Sequence, residues 1–185
     1  MLDSFPHLRH FPRIPDSCYV DPSTRINGDV SCGENCSFWF QACLRGDVNS
    51  IRIGGYTNIQ DGCVLHTTWQ KFPLTIGDEV TFGHGVIAHG CTIGSRVLLG
   101  MQSLVLDGAV IGDDVLLGAG SLVTEGKQIP SGVLAFGRPA KVVRDLTEEE
   151  RQMLQRQAHH YARLALAYQE SGRMRTWRDH PYFEG

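Results

Sequence analysis

Eight histidines occur in the 185 residues, and three of them, His66, His84 and His89, fall close together near the middle of the chain. Neutral imidazole is the commonest side-chain ligand for a transition metal. Three imidazoles on one divalent ion leave its positive charge uncompensated and at least one coordination position open. Water at such a position ionises near neutral pH, so three converging histidines are a source of nucleophile under mild conditions. Whether they converge depends on the elements that carry them. His66 directly follows Leu65, His89 directly follows Ala88, and His84 stands two residues after Phe82. No comparable signal attaches to His7, His10 or His180, and His159 and His160 read as solvent-facing helix residues.

The apolar neighbours of those histidines belong to a repeat. Anchors recur every six positions at Ile14, Val20, Ile26, Cys32, Phe38 and Leu44, and after a slip at Ile53, Ile59 and Leu65. A second interruption is followed by Ile76, Phe82 and Ala88, then by Ile93, Leu99, Val105, Ile111, Leu117, Val123 and Ile129. A period of six matches neither the 3.6 of a helix nor simple alternation. It fits short strands separated by sharp turns, with one inward anchor per strand. Glycine directly after the anchor, at positions 54, 77, 94 and 112 among others, suits a corner where the backbone turns tightly.

This pattern resembles the hexapeptide-repeat family, which implies an all-β fold: a left-handed parallel β-helix with three repeats, and so three strands, to each turn. The resemblance runs over roughly residues 10 to 140 and includes the Gly137–Lys141 run, GRPAK. Residues 1–145 are therefore expected to form the β-helix domain with its lead-in, 146–172 a C-terminal α-helix and 173–185 a tail. Thr147 and Glu150 form a capping box. Leu154, Ala158, Tyr161, Ala165 and Tyr168 share one helical face, and Gly172 is a natural C-cap. That face needs an apolar surface, either the side of the coil or a neighbouring subunit.

On a turn of three repeats the histidine spacing becomes informative. His66 and His89 are separated by one such turn plus five positions. The segment Thr67–Pro73, TTWQKFP, interrupts the period, and Ile76 comes five positions later than a single repeat after Leu65 would put it. The two excesses are equal. If the segment bulges as a loop, His66 and His89 stack on successive turns and can share one ion. If it holds a strand instead, His66 stacks on His84, which stands three repeats further on. Either count leaves one histidine on another corner, beyond reach within one chain. A cyclic homotrimer of parallel prisms would deliver it from a neighbour and create inter-subunit metal sites.

The residues around these histidines are similar to those of the γ-class carbonic anhydrases: Arg45-Gly46-Asp47, Asn58-Ile59-Gln60-Asp61, Val64-Leu65-His66, Gly83-His84-Gly85 and Ala88-His89-Gly90. The resemblance implies a lyase that reversibly hydrates CO2 to bicarbonate, with His66 and His89 as ligands from one subunit and His84 from the next. It implies zinc, with iron or cobalt also accepted by three imidazoles. Gln60 would orient the bound water, Asn58 would stand near the site, and Tyr161 would reach over it from the helix. Arg45 and Asp61 would pair across the interface with Asp47 beside them. One departure matters. Active members carry an acidic loop after the first ligand, whereas Thr67–Pro73 contains no carboxylate, and Val48 follows Asp47 where a further glutamate is expected. Weak turnover, limited by proton export, is the expectation. The rival readings are a non-catalytic trimeric scaffold or assembly subunit, a hexapeptide acyltransferase using a lone histidine base, and a thioesterase.

Composition sets outer bounds. With 42% hydrophobic and 20% charged residues the chain can build a core and is not a disordered sequence. A formal charge of −3 gives no footprint for nucleic acid. No stretch approaches the roughly 20 apolar residues a membrane helix needs, and MLDSFPHLRHFPRIP lacks an export-signal core. The six cysteines show no CxxC pair, so buried, reduced thiols in a cytoplasmic protein are expected, with Cys91 a core residue and not a fourth ligand.

Overall fold

In the computed structural model, which describes residues 6–171, the period of six becomes a three-sided left-handed coil of short parallel strands followed by one helix. On the first side Leu44, Leu65, Ala88, Val105 and Val123 lie in register. The second side stacks Ile53, Ile76, Ile93, Ile111 and Ile129. The third stacks Phe38, Ile59, Phe82, Leu99, Leu117 and Ala135. Two long strands, Arg25–Cys32 and Cys43–Ile53, run round the edge between the first and second sides.

Successive strand residues point to opposite faces, so one residue of each short strand points inward. The stacked anchors just named are all at most 5% exposed. Each contributes about 1.5–3 kcal/mol if leucine- or isoleucine-sized, and the three columns form the centre of the core. Val20 departs from the expectation. It pairs with Phe38 but is 40% exposed, because its strand is the last in its sheet and has a neighbour on one side only.

The corner glycines serve stacking more than turning. A methyl group at Gly54 would stand 2.5 Å from the backbone of Gly77, and one at Gly94 would stand 2.7 Å from that of Gly112. Successive coils approach too closely there for any Cβ. The left-handed conformation at the same corners is taken by Tyr56, Glu79, Arg96 and Asp114, with φ between 53° and 58°.

An antiparallel pair, Val133–Gly137 with Ala140–Asp145, closes the coil and leads into the helix Glu148–Ser171. Its start is a reciprocal cap: the Thr147 N–H donates to Glu150 Oε2 at 2.9 Å, and the Glu150 N–H to Thr147 Oγ1 at 3.3 Å. Leu154, Ala158 and Ala165 are buried. The helix lies along the outside of the third side of its own chain, where Trp39 meets the rings of Tyr161 and Tyr168 at 5.8 and 5.1 Å. The expected Gly172 cap and the tail from Arg173, with His180, lie outside the described residues.

Candidate metal centre

The strands 64–66 and 87–89 pair in register, with His66 opposite His89. The segment between Leu65 and Ile76 is therefore an outward loop, pinned by a Thr68–Phe72 bridge, and the count that stacked His66 on His84 is excluded. Phe72 folds back over the next two coils, against Gly90 and Gly108. This places the two imidazoles at the edge between the first and second sides, His66 Nδ1 lying 3.0 Å from His89 Nε2.

Each ring is held from behind by a carboxylate. His66 Nε2 lies 3.1 Å from Asp47 Oδ1, and His89 Nδ1 lies 2.5 Å from Asp107 Oδ1. Arg45 supports the first arm through Asp47 at 2.6 Å, and the Thr68 hydroxyl supports the second through Asp107. Burial raises Asp47, yet its hydrogen bonds to Arg45 and His66 outweigh this and keep it below the usual carboxylate range. Burial, with Arg45 and His89 nearby, lowers His66 below the ordinary histidine value even though Asp47 pulls the other way.

A proton count tests whether these residues suit a metal. In the neutral form that binds a metal each imidazole carries one N–H, and Asp47 and Asp107 stand where they would accept both. The remaining nitrogens then face one another as lone pairs across 3.0 Å. A cation relieves that opposition, and a tetrahedral ion at about 2.0–2.1 Å from each nitrogen spaces them roughly 3.3 Å apart. Ring N–H groups donated to carboxylates are also the usual way of orienting metal-bound histidines. The donor set fits a metal.

The other expected residues gather at a different edge, between the third and first sides. His84 Nδ1 lies 3.0 Å from Asp61 Oδ2, and its side chain is 53% exposed. Beside it runs a buried relay in which Gln60 Nε2 donates to Asn58 Oδ1 at 3.2 Å and Asn58 Nδ2 donates to Thr81 Oγ1 at 2.9 Å. Tyr161 shares a cavity with Gln60, and burial, with Asp61 nearby, raises its phenol above the ordinary value. Gln60, His84, Leu98, Met101, Leu116 and Tyr161 line a cavity of about 410 Å³. Within one chain, then, Gln60, Asn58 and Tyr161 accompany His84 and not the His66–His89 pair. Asp61 faces His84, while Arg45 faces Asp47.

Two residues escaped the sequence reading. Asp107 stands one full turn after His89, and that spacing is the only trace of it in the sequence. His159, read as solvent-facing, is half-buried: it meets Glu79 Oε1 at 2.7 Å and the Tyr56 ring at 4.6 Å, because the helix lies close against that corner. Cys91 is 2% exposed and its thiol is pushed up to about 12 by burial, as suits a core residue.

Comparison with known proteins adds independent findings. Residues 90–125 match the family model described as bacterial transferase hexapeptide (six repeats). The chain is 54% identical over 140 residues to a protein of Methanocaldococcus jannaschii described as a probable carbonic anhydrase, covering 76% of this chain and 87% of that one. It is 38% identical over 162 residues to the mitochondrial gamma carbonic anhydrase 1 of Arabidopsis thaliana, covering 85% of this chain and 59% of that one. Among solved structures, a hexapeptide transferase family protein from Anaplasma phagocytophilum superposes with a TM-score of 0.80 at 44% identity, covering 85% and 92% of the two chains.

Proposed function

The chain belongs to the γ-class carbonic anhydrase-like family of hexapeptide-repeat proteins, and on that footing we propose that it is a lyase interconverting carbon dioxide and bicarbonate at zinc sites between the subunits of a homotrimer. The observation that carries this reading is the facing pair His66 and His89, each fixed by its own carboxylate. Zinc, or iron or cobalt in its place, supplies the Lewis acidity that makes water a nucleophile near neutral pH.

The positions of the side chains support a trimer. His84 sits on a different edge from the His66–His89 pair, so in this reading the third imidazole comes from a neighbouring chain. Apolar surface adjoins both edges. Val64 and Ile87 point outward beside the histidine pair, 39% and 41% exposed, and the stripe continues in register through Leu104 and Leu122. The cavity beside His84 offers Leu98, Leu116 and Met101. Mating the stripe of one subunit with the cavity of the next would cover both and bring the three histidines together.

In that arrangement Gln60 arrives with His84 from the neighbour. Its amide N–H is committed to Asn58, which Thr81 fixes in turn, so its orientation toward water and substrate is set before substrate arrives. Tyr161 adds a hydroxyl over the same cavity, and Arg45 can meet Asp61 across the interface. Proton export is the weak step. Asp47 and Asp107 are already engaged with histidines, and the loop 67–73 offers no carboxylate. No helix among the described residues is long and apolar enough to cross a membrane, and six free thiols suit the reducing cytoplasm.

Metal-replete protein should hydrate carbon dioxide slowly, faster as pH rises through neutrality and faster again with imidazole-type buffers that replace the missing proton carrier. Hydration absent at every buffer concentration would remove the lyase reading and leave the scaffold or thioesterase. Acyl transfer from coenzyme A by metal-free protein would favour the acyltransferase, which needs one histidine and gives no reason for two paired ones.

A further inference from the structure

The third edge of the prism, between the second and third sides, carries a cluster that the proposed reaction does not use. Cys18 and Cys36 lie one full turn apart and precede strands that pair in register, Tyr19 against Ser37, so they stack on successive coils. Cys32 ends the long strand Arg25–Cys32 on the adjoining side and points to the same spot. All three sulfur atoms lie within 4.8 Å of one another, with Cys18 and Cys32 at 3.8 Å. Cys18 and Cys36 are buried, and Cys32 is half-buried, which leaves an approach from solvent.

We propose that Cys18, Cys32 and Cys36 form a second, all-sulfur metal site that takes a thiophilic d10 cation of the zinc class, separate from the histidine centre and independent of the lyase reading. A metal ion bonded to thiolates at about 2.3 Å spaces its sulfurs roughly 3.8–4.0 Å apart, which is the Cys18–Cys32 separation found. A disulfide would use two of the three sulfurs and would need them at about 2.05 Å. Binding a divalent ion to three thiols forms three metal–sulfur bonds and releases three protons to solvent. No electron transfer is involved.

The site would staple the outermost coil. The strand Tyr19–Val20 pairs only on one side, and the carbonyl of Cys18 also accepts a hydrogen bond from Gln169 near the end of the helix, at 3.1 Å. An ion shared by Cys18, Cys32 and Cys36 would therefore join the first coil to the second just where the helix ends.

Cadmium is the probe, because sulfur ligation produces an ultraviolet charge-transfer band that imidazole does not. In a His66→Ala/His89→Ala background, reduced protein titrated with Cd2+ should develop this band and saturate at one ion per chain. Adding Cys32→Ser, the least buried of the three, should abolish it. A measurement on the unmodified chain covers the case in which these variants fold poorly. Peptide-resolved alkylation with and without Cd2+ should show protection of Cys32, the most accessible of the three, while Cys43 reacts unchanged. No charge-transfer band in the unmodified chain, a band that survives Cys32→Ser, protection at cysteines outside the three, or a Cys18–Cys32 crosslink persisting under reduction would each overturn the proposal.

Discussion

Asp107 does for His89 what Asp47 does for His66. It takes the ring N–H that the opposing nitrogen cannot use, and so it decides which lone pair points into the gap between the rings. Burial works against its charge, but the Thr68 hydroxyl and His89 outweigh burial and hold it below the usual carboxylate range. Asp107→Asn keeps the shape and removes the charge. Metal affinity should fall about 10- to 100-fold, the usual effect of losing such a partner, with secondary structure by circular dichroism unchanged. Unchanged affinity in a metal titration would mean that His89 needs no orienter. His66, His84 and His89 could be singled out from type and spacing alone. Asp107 is less legible, because an aspartate so far along the chain from the first histidine is one surface carboxylate among many until the coil stacks it.

The loop 67–73 is the element on which the site depends most. It leaves the coil after His66, carries Lys71 over the Phe72 ring at 4.8 Å, and is held down by Phe72. The bed for that ring is glycine. At Gly90, with φ of 51°, a methyl group would stand 2.5 Å from Asp107 Oδ1 and 2.8 Å from Phe72 Cβ. Gly126 has a similar positive φ, 66°, with nothing within 4 Å of the added carbon. The two glycines separate backbone strain from contact. Gly126→Ala should cost about 1 kcal/mol, a left-handed alanine and no more. Gly90→Ala should cost about 1–3 kcal/mol further, since the loop or Asp107 must move, and it alone should weaken metal binding. Equal losses in chemical denaturation, with equal metal affinity, would show that packing does not hold the loop. The helix behaves more simply. Its cap and its apolar face are local signals, and the structure realises both, with the coil of the same chain as its support.

At the scale of the whole molecule, the proposed trimer makes ligand sharing testable without a structure of the assembly. Each interface would take His66 and His89 from one chain and His84 from the next. A His84→Ala chain and a His66→Ala chain should each fail to hold metal at the histidine centre alone. Co-expressed, they should regenerate a fraction of complete sites, because some interfaces then draw every ligand from intact positions. Mixed trimers that hold no more metal than either variant would overturn the sharing of ligands between chains and, with it, the three-histidine centre.

The period of six, its anchors and the capped helix are written in the sequence because each is a local property. A strand corner or a helix cap is settled by residues a few positions apart, and repetition along the chain makes the pattern readable. The hexapeptide resemblance could therefore supply the left-handed coil, and the type and spacing of three histidines could suggest metal chemistry. Which histidines stack was not readable. The segment from Thr67 to Pro73 can be absorbed as a loop or as a strand with the same count, and only the closure of Phe72 over Gly90 and Gly108 and the pairing of His66 with His89 selects the loop. The same holds for Cys18, Cys32 and Cys36, and for Asp107. Each meets its partners across stacked coils, so the contact exists only once the register of the whole coil is set, and that register is decided by packing in three dimensions.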